Sequence, residues 1–194
     1  MEQVLAFLDS YGPLDDRLRE YLRNNLKPTR VPKDIILLKE GSVAGTIGFI
    51  EKGVIRGFRT LKGDFEKTNW FMVELDVFAS VLSFFKQVPA RETVQTLEPC
   101  IIHTLRFDQY QAALKLSPSF QRNRAEILEK YYMQSLERED MRHEKIYERF
   151  CYLMKNYPNL VGRVLDKHLA SFIGTTPTYY SDVKRKYFER HGRR

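Results

Sequence analysis

The stretch from 164 to 188, VLDKHLASFIGTTPTYYSDVKRKYF, constrains the fold of this chain more than any other part of it. Its first half has apolar residues at helical spacing, and Gly174 stands where a glycine commonly ends a helix. Thr176 can cap a second helix, and Pro177 suits its first position because no backbone N–H is needed there. The second helix has an apolar stripe of its own: Tyr180, Val183 and Tyr187. Two helices joined by a short glycine-containing turn predict a helix-turn-helix.

Positive charge also gathers on the second helix and directly after it. The basic residues there are Lys184, Arg185, Lys186, Arg190, Arg193 and Arg194, and Glu189 is the one acid among them. Such a cluster suits contacts to the phosphates of double-stranded DNA, and it would make binding depend on salt. The alternative is a solvated helical hairpin with a basic terminal tail.

The amino-acid composition indicates a chain that can form a core, but it does not identify the binding partner. The chain has 194 residues, 43% of them hydrophobic, and a net charge of +7. A sizeable core can therefore form, and an acidic partner such as nucleic acid or a membrane surface is favoured. No segment is long and apolar enough to span a bilayer, and no signal-peptide pattern is present, so we expect a cytoplasmic protein with no membrane partner. Cys100 and Cys151 stand in no metal-type pair, and we expect no metal site.

The rest of the chain begins with a helical part, which is followed by a β-rich part. Residues 2–26 have helical periodicity, broken at Tyr11-Gly12-Pro13. From about residue 31 to 105 the chain consists of short β-type runs separated by turn residues, which predicts a sandwich or small barrel. The runs are Ile35–Leu38, Thr46–Ile50, Val54–Thr60, Phe65–Val73, Thr93–Leu97 and Cys100–Leu105. The apolar segment Val77–Phe85 interrupts them, and we predict a short helix there.

A long helix is predicted after the β-rich part. Phe107–Leu116 forms one helical segment, Ser117-Pro118 breaks it, and no Gly or Pro follows until beyond Lys145. The apolar residues of the long segment recur in a roughly heptad rhythm: Phe120, Ile127, Leu128, Tyr131, Leu136 and Met141. Such a stripe is typical either of a core helix or of a two-stranded coiled-coil seam. Ile146–Tyr157 is predicted to form a further helix, ended by a proline.

This order of elements resembles the catabolite-activator and fumarate–nitrate-reduction (Crp/Fnr) family of bacterial transcription regulators, over essentially the whole chain. The anchors are the Glu40-Gly41 turn, the segment FIEKGVIRGF around Gly53, and YERFCYLMKNYPNLVGRVLDKHLASFIGTTPTYYSDVKRK. The last segment is similar to the short-tailed, Bacteroidetes-type branch of the family. The resemblance implies an α+β chain with an N-terminal cyclic-nucleotide-binding-like β jelly roll (1–117), a long dimerisation helix (118–145) and a C-terminal helix-turn-helix domain (146–194).

The resemblance also implies a function. Family members read a palindromic DNA site as a homodimer, and RNA polymerase is a further candidate partner. The four histidines are dispersed and no glycine loop could cradle a phosphate, so we expect no enzyme activity. The rival interpretation is a small-ligand-binding or protein-interaction module whose DNA-binding domain has decayed.

The sensor part departs from the family's cyclic-nucleotide cassette. Members that bind cyclic nucleotide have a Phe-Gly-Glu string, and later an Arg followed by a small residue, which hold the ribose and the phosphate. Here the string is Phe78-Ala79-Ser80, and Arg91 comes one residue late. Glu92 follows it and would repel a phosphate. We therefore expect no useful affinity for cyclic AMP.

Two interpretations of this pocket stay open. The first is a pocket for an unknown small-molecule effector, for which Ser80, Ser83 and Arg91 are the candidate residues. The second is a pocket filled by Phe84, Phe85 and neighbouring side chains, which we favour together with an unknown ligand over a cyclic nucleotide. Every polar interaction missing from the cassette would weaken nucleotide binding by roughly 1–3 kcal/mol.

The reading helix also departs from the family. Where members commonly have Arg this chain has Asp182, which can accept a hydrogen bond from cytosine N4 but repels phosphates. We therefore expect unusual base preference or weak binding. The DNA-binding candidates on the first turns are Thr176, Thr178, Tyr179, Ser181 and Asp182, followed by Lys184, Arg185 and Lys186 as backbone contacts. Tyr180 is expected to pack in the core.

Overall fold

The computed structural model describes residues 1–192 and divides them into two compact units. The first, called here the jelly-roll unit, comprises Met1–Arg59 and Trp70–Tyr131. The second, called the helical unit, comprises Thr60–Asn69 and the described chain from Tyr132 onward. Arg193 and Arg194, which belong to the basic cluster predicted from the sequence, lie outside the described residues.

Two short helices, α1 (Glu2–Asp9) and α2 (Asp16–Asn25), begin the chain, as the periodicity predicted. Asp15 caps α2, because its carboxylate accepts the backbone N–H of Leu18 at 2.8 Å. The apolar faces of both helices enter one core of the jelly-roll unit, to which they contribute Val4, Leu5, Leu8, Leu18 and Leu22.

The β-rich part forms two four-stranded sheets. The strands are β1 (Pro28–Val31), β2 (Ile36–Leu38), β3 (Thr46–Lys52), β4 (Ile55–Thr60), β5 (Glu66–Met72), β6 (Val77–Phe78), β7 (Thr93–Thr96) and β8 (Cys100–Arg106). Their order is β1-β8-β3-β6 in one sheet and β2-β7-β4-β5 in the other. Both sheets contribute to a second core, made of Ile50, Ile55, Phe78, Val94, Cys100 and Ile102. The predicted jelly roll is confirmed.

The prediction of one helix over Val77–Phe85 is wrong. Val77 and Phe78 pair with β3 as strand β6, and the helix α3 occupies only Val81–Lys86. Phe78 pairs with Gly48, and a Cβ on that glycine would overlap the Phe78 ring. Pairing with a strand distant in sequence therefore overrides the local helical pattern. Strand β1 was not predicted either, because it lies at a sheet edge, is largely exposed and has no apolar alternation.

Helix α4 (Phe107–Leu116) is followed by the long helix α5 (Pro118–Met141). The predicted end near Lys145 is wrong by four residues. Met141 is buried, and the next three backbone N–H groups each bond the carbonyl three residues back, which makes a tight turn. Helix α6 (Ile146–Asn156) begins after this turn.

The heptad stripe of α5 divides between two faces of the helix. Phe120 and Ile127 pack into the core of the jelly-roll unit. Tyr131 lies on the same inner face, where its hydroxyl donates to Asp76 at 3.1 Å and accepts the backbone N–H of Val77 at 2.8 Å. The opposite face carries exposed apolar residues: Tyr132, Met133 and Leu136. Of the two alternatives that the sequence left open, the inner face fits a core helix, and the outer apolar face is the one available for a coiled-coil seam.

The helical unit ends with α7 (Asp166–Ile173) and α8 (Pro177–His191). Their buried residues pack with those of α6, and this core includes Phe150, Leu153, Leu160, Val164, Leu169, Phe172, Ile173, Tyr180 and Val183. The predicted helix-turn-helix is confirmed. No helix of residues 1–192 is long and apolar enough to cross a membrane.

Candidate nucleic-acid interface and effector site

The turn between α7 and α8 requires a glycine. Gly174 has φ of 72°, in the left-handed region that glycine adopts without strain. A Cβ at this position would also lie 2.9 Å from Nη1 of Arg149. Arg149, on α6, donates to the Ile173 carbonyl at 3.1 Å and to the Glu144 carbonyl at 2.8 Å. One side chain of α6 therefore satisfies the carbonyl at the end of α7 and fixes the turn against the preceding helix.

The start of α8 follows the sequence prediction closely. The Thr176 hydroxyl accepts the backbone N–H of Tyr179 at 3.3 Å, and Pro177 occupies the first helical position. Tyr180 is fully buried, with its ring centroid 5.4 Å from that of Phe150. Because the inner face of α8 is fixed in the core in this way, its opposite face is held outward on a rigid helix.

The outward face of α8 brings the base-facing candidates together. Thr178, Tyr179 and Ser181 are exposed, and 48% of Tyr179 is accessible to solvent. The Ser181 hydroxyl donates to the Pro177 carbonyl at 3.0 Å, which leaves its lone pairs outward. Asp182 is half-buried on the next turn. These residues occupy the first two turns of α8, the part of a recognition helix that reaches base edges.

The three basic candidates differ in their ion pairs. Nζ of Lys184 lies 3.1 Å from both carboxylate oxygens of Asp166 on α7. Nη2 of Arg185 lies 3.1 Å from Asp182, and its Nε lies 3.9 Å from Glu189. Within residues 1–192, Lys186 is the member of this trio that has no ion pair. The positive charge predicted for this face is therefore partly neutralised within the protein.

Two exposed basic residues beside the motif were not predicted as part of it. Arg163 lies in the tight turn that precedes α7, between Val161 and Val164, which form an isolated bridge. Lys167 lies in the first turn of α7. Both belong to the segment VGRVLDK, whose basic residues are separated by apolar ones, so they do not stand out as a cluster.

Ser171 of α7 makes a contact that no sequence pattern indicated. Its hydroxyl donates to the Glu66 carbonyl at 2.6 Å and accepts the backbone N–H of Thr68 at 2.8 Å. Within the helical unit, the first helix of the motif is thus bonded to the backbone at the start of β5. A single serine among apolar helix residues gives no sequence signal for such a contact.

The three effector candidates do not converge on one site. The Ser83 hydroxyl is fully buried, donates to the Val88 carbonyl at 2.5 Å and accepts the Ala44 N–H at 2.8 Å, so its hydrogen bonds stabilise the turn after α3. Arg91 is exposed, and its carbonyl accepts Nε of Arg59 at 2.6 Å. Ser80 is buried, as Ser83 is, and its side chain helps to lower the pKa of Glu92.

Glu92 occupies the inward position beside Ser80. Nε1 of Trp70 donates to its carboxylate at 2.9 Å. Burial raises the pKa of Glu92, which the hydrogen bonds from Trp70 and Ser80 and the charge of Arg59 only partly offset. A Cβ on Gly57 would overlap Cε2 of Trp70, so the indole lies directly over that glycine.

The residues that fill the jelly roll differ from those expected. Trp70 packs against the core between the two sheets, of which Phe78 is a member. Phe84 and Phe85 instead belong to an aromatic cluster with ring centroids 5.3–5.9 Å apart, whose other members are Phe107, Tyr110 and Phe120. Among residues 1–192, no group of three or more His, Cys, Asp or Glu side chains could hold a metal ion.

A jelly roll, a long helix and a C-terminal helix-turn-helix together have the fold of solved regulators, one of them from the Crp/Fnr family. FixK2 from Bradyrhizobium japonicum matches with a TM-score of 0.71 and 11% identity, over 86% of each chain. The c-di-GMP responsive regulator CLP of Xanthomonas campestris matches with a TM-score of 0.71 and 16% identity, over 91% of this chain and 93% of CLP.

A third structure, a transcriptional regulator assigned to the crp/fnr family from Eubacterium rectale, has a TM-score of 0.69 and 15% identity. It is matched over 94% of this chain and 89% of its own. No protein-family model and no curated protein matches the sequence. At these identities the likeness establishes a shared fold, and the activity has to be argued from the residues of this chain.

Proposed function

We propose that this chain is a transcription regulator of the Crp/Fnr type that binds double-stranded DNA as a homodimer through α8. The observation that carries the proposal is the construction of α8. Its start is capped by Thr176, its inner face is anchored by the buried Tyr180, and its exposed face presents Thr178, Tyr179 and Ser181. The long match to solved regulators supports it.

The charge on α8 supports contacts to the DNA backbone with a modest number of cations. Among the described residues, Lys186 has no ion pair to break before it contacts a phosphate, whereas Lys184 is bonded to both carboxylate oxygens of Asp166. The Arg185–Asp182 pair is exposed, and such pairs contribute only about 0–1 kcal/mol. Arg185 can therefore exchange Asp182 for a phosphate, which leaves the Asp182 carboxylate to accept from cytosine N4.

The outer face of α5 supports a homodimer. Tyr132 is 63% exposed and Leu136 is 43% exposed, although both are large and apolar. They lie four residues apart on one side of α5, and Ala125, seven residues before Tyr132, extends the same stripe. A second copy of this helix would cover the stripe in a coiled-coil seam. The heptad rhythm also predicted Ile127 and Tyr131 as seam residues. Both belong to the inner face, so substitutions there would not test the dimer.

The DNA proposal is tested by reversing one charge on α8. Lys186→Glu should weaken binding to genomic duplex fragments by at least tenfold at moderate salt, because a phosphate contact is replaced by a repulsive charge in each protomer. Lys33→Glu makes the same charge change on an exposed residue of the jelly-roll unit and should leave binding unchanged. Equal losses in the two variants would show that only net charge matters and would contradict a role for α8.

The dimer proposal is tested on the outer face of α5. The double variant Tyr132→Asp with Leu136→Asp should sediment as a monomer at micromolar concentration, whereas the wild type sediments as a dimer. Glu126→Lys alters an exposed charge of the same helix away from the stripe and serves as the control. A wild type that is monomeric under these conditions would exclude the dimer.

The rival function, a protein-interaction module with a decayed DNA-binding domain, is favoured by the acids that pair with Lys184 and Arg185. A gel-shift assay of genomic fragments at two salt concentrations separates the two functions. A DNA-binding protein retards fragments strongly at low salt and less at high salt. A decayed domain leaves all fragments unretarded at both concentrations.

A further inference from the structure

The partly buried carboxylate of Glu92 accepts a hydrogen bond from the indole of Trp70 in the jelly-roll unit. Nε1 of Trp70 donates to Glu92 at 2.9 Å, and the side chain of the buried Ser80 helps to lower the pKa of the same carboxyl group. Ser80 and Glu92 stand at the two sides of α3, in the segment that replaces the cyclic-nucleotide cassette. Through Glu92, this segment is therefore hydrogen-bonded to the indole of Trp70, as it would be to a bound molecule.

The packing of the indole also resembles that of a ligand. Its ring lies over Gly57 of β4, so close that a Cβ there would overlap Cε2 of Trp70. The same side chain packs on the core between the sheets. The indole ring thus packs against apolar side chains of the core and against the backbone of Gly57, and its N–H donates a hydrogen bond to Glu92.

We propose that Trp70 acts as a built-in ligand of the sensor, so that the jelly roll takes its ligand-bound arrangement, and the protein binds DNA, without a small-molecule effector. This inference rests on the proposed DNA-binding function. The position accepts a planar heteroaromatic ring that has an N–H donor. It disfavours a phosphate, because Glu92 and the nearby Glu40 are both acidic, and the charge of Arg59 offsets the burial of Glu92 only in part.

The experiment removes the indole and returns it as a free molecule. Trp70→Gly should lower the melting temperature and weaken DNA binding at least tenfold, because the large-to-small change opens a cavity over Gly57. Added indole should bind this variant and restore both properties, as apolar cavities accept matching aromatic molecules. 1-Methylindole, which lacks the N–H, should restore them much less, since it cannot donate to Glu92.

Controls keep this inference separate from the proposed function. Wild-type protein should bind DNA without any small molecule, and neither indole nor cyclic AMP should change that binding or the fluorescence of Trp70, the sole tryptophan of the chain. If Trp70→Gly is folded and binds DNA as the wild type does, the built-in ligand is excluded and DNA binding stands. Equal rescue by indole and 1-methylindole would also exclude the proposed anchor.

Two further outcomes are decisive. If the wild type binds no DNA under any condition, the proposed function fails, and indole binding to Trp70→Gly by calorimetry still tests the site. If Trp70→Gly does not fold, Trp70→Phe replaces it, because phenylalanine retains a ring and loses the donor. That variant should bind DNA several-fold more weakly, and unchanged binding would overturn the inference.

Discussion

The Glu92–Trp70 pair of the jelly-roll unit and the Asp182–Arg185 pair of α8 each join groups that a ligand could otherwise use. Their lengths are similar, 2.9 Å and 3.1 Å. The first is partly buried, so separating it would leave a carboxylate and an indole N–H that water reaches only in part, at a cost of up to roughly 1–3 kcal/mol for each group. The second is exposed, and water or a phosphate replaces either partner at little cost. Partial burial therefore makes the first pair harder to separate than the second, which is open to exchange.

The largest effect on stability is expected at Gly57, against which the ring of Trp70 packs. Gly57→Ala places a Cβ inside the space of the Trp70 ring, and overpacking of this kind costs about 1–3 kcal/mol or more. The free energy of unfolding, measured with denaturant, should fall by this amount, with a change in Trp70 fluorescence. Gly45→Ala is the matched control, because nothing lies within 4 Å of its added Cβ. Equal stability of the two variants would show that the indole is not confined there.

A smaller effect on stability is expected from replacing Glu92 with a neutral residue. The pKa of Glu92 is raised above its ordinary value of 4.5, mainly by burial, so its protonated form is favoured in the folded state. The stability that protonation supplies is complete below that value and is lost as pH rises through the folded-state pKa. Glu92→Gln stays neutral and can still accept from Trp70.

Glu92→Gln should therefore melt at a higher temperature than the wild type at pH 7, and this advantage should shrink as pH falls toward 4.5. The hydrogen bond from His103 lowers the pKa of Glu51, but that contribution is common to both proteins and cancels in the difference. A constant difference in melting temperature across this pH range would show that burial does not disfavour the Glu92 charge.

The smallest effect on stability is expected at the exposed pair. Asp182→Asn should change the free energy of unfolding by less than about 0.5 kcal/mol, because the Arg185 pair is solvated. DNA affinity should rise several-fold, since Arg185 is released and one repulsive charge is removed. Asp182→Arg should in addition favour guanine at one position in each half-site.

Glu189→Gln makes the same charge change 3.9 Å from Arg185 and is the control for Asp182→Asn. It should raise affinity for all sequences alike, without altering base preference. If Asp182→Arg leaves base preference unchanged, the carboxylate at this position does not face the bases.

The helix-turn-helix was predictable because its signals are local. A cap at Thr176, a proline at 177 and a left-handed glycine at 174 lie within three residues of one another, and the apolar stripes have helical spacing. Strand β6 was not predictable in this way. Its two residues form a strand only because they pair with β3, almost thirty residues earlier in the chain.

The site residues depend still more on distant partners. Asp166 holds Lys184 from another helix, eighteen residues away, so no count of basic residues on α8 could reveal that this charge is engaged. Glu92 was expected to repel a phosphate, but no local pattern indicated that its carboxylate accepts the indole N–H of Trp70, twenty-two residues earlier in the chain. Arg91 is exposed whereas Glu92 is partly buried, and the difference depends on Trp70, which is distant in sequence and donates to Glu92.

The hydrogen bonds of Ser171 have a consequence for how this protein can evolve. The Thr68 N–H that they hold lies two residues before Trp70 on β5, a separation of roughly 7 Å of extended backbone. A substitution that displaced the backbone of β5 at Thr68 would therefore move the donor whose hydrogen bond Ser171 of α7 accepts. Because Ser171 bonds backbone groups, any residue except proline at position 68 keeps the donor, so α7 constrains the path of β5 and not its side chains, although the two segments are about a hundred residues apart in the gene.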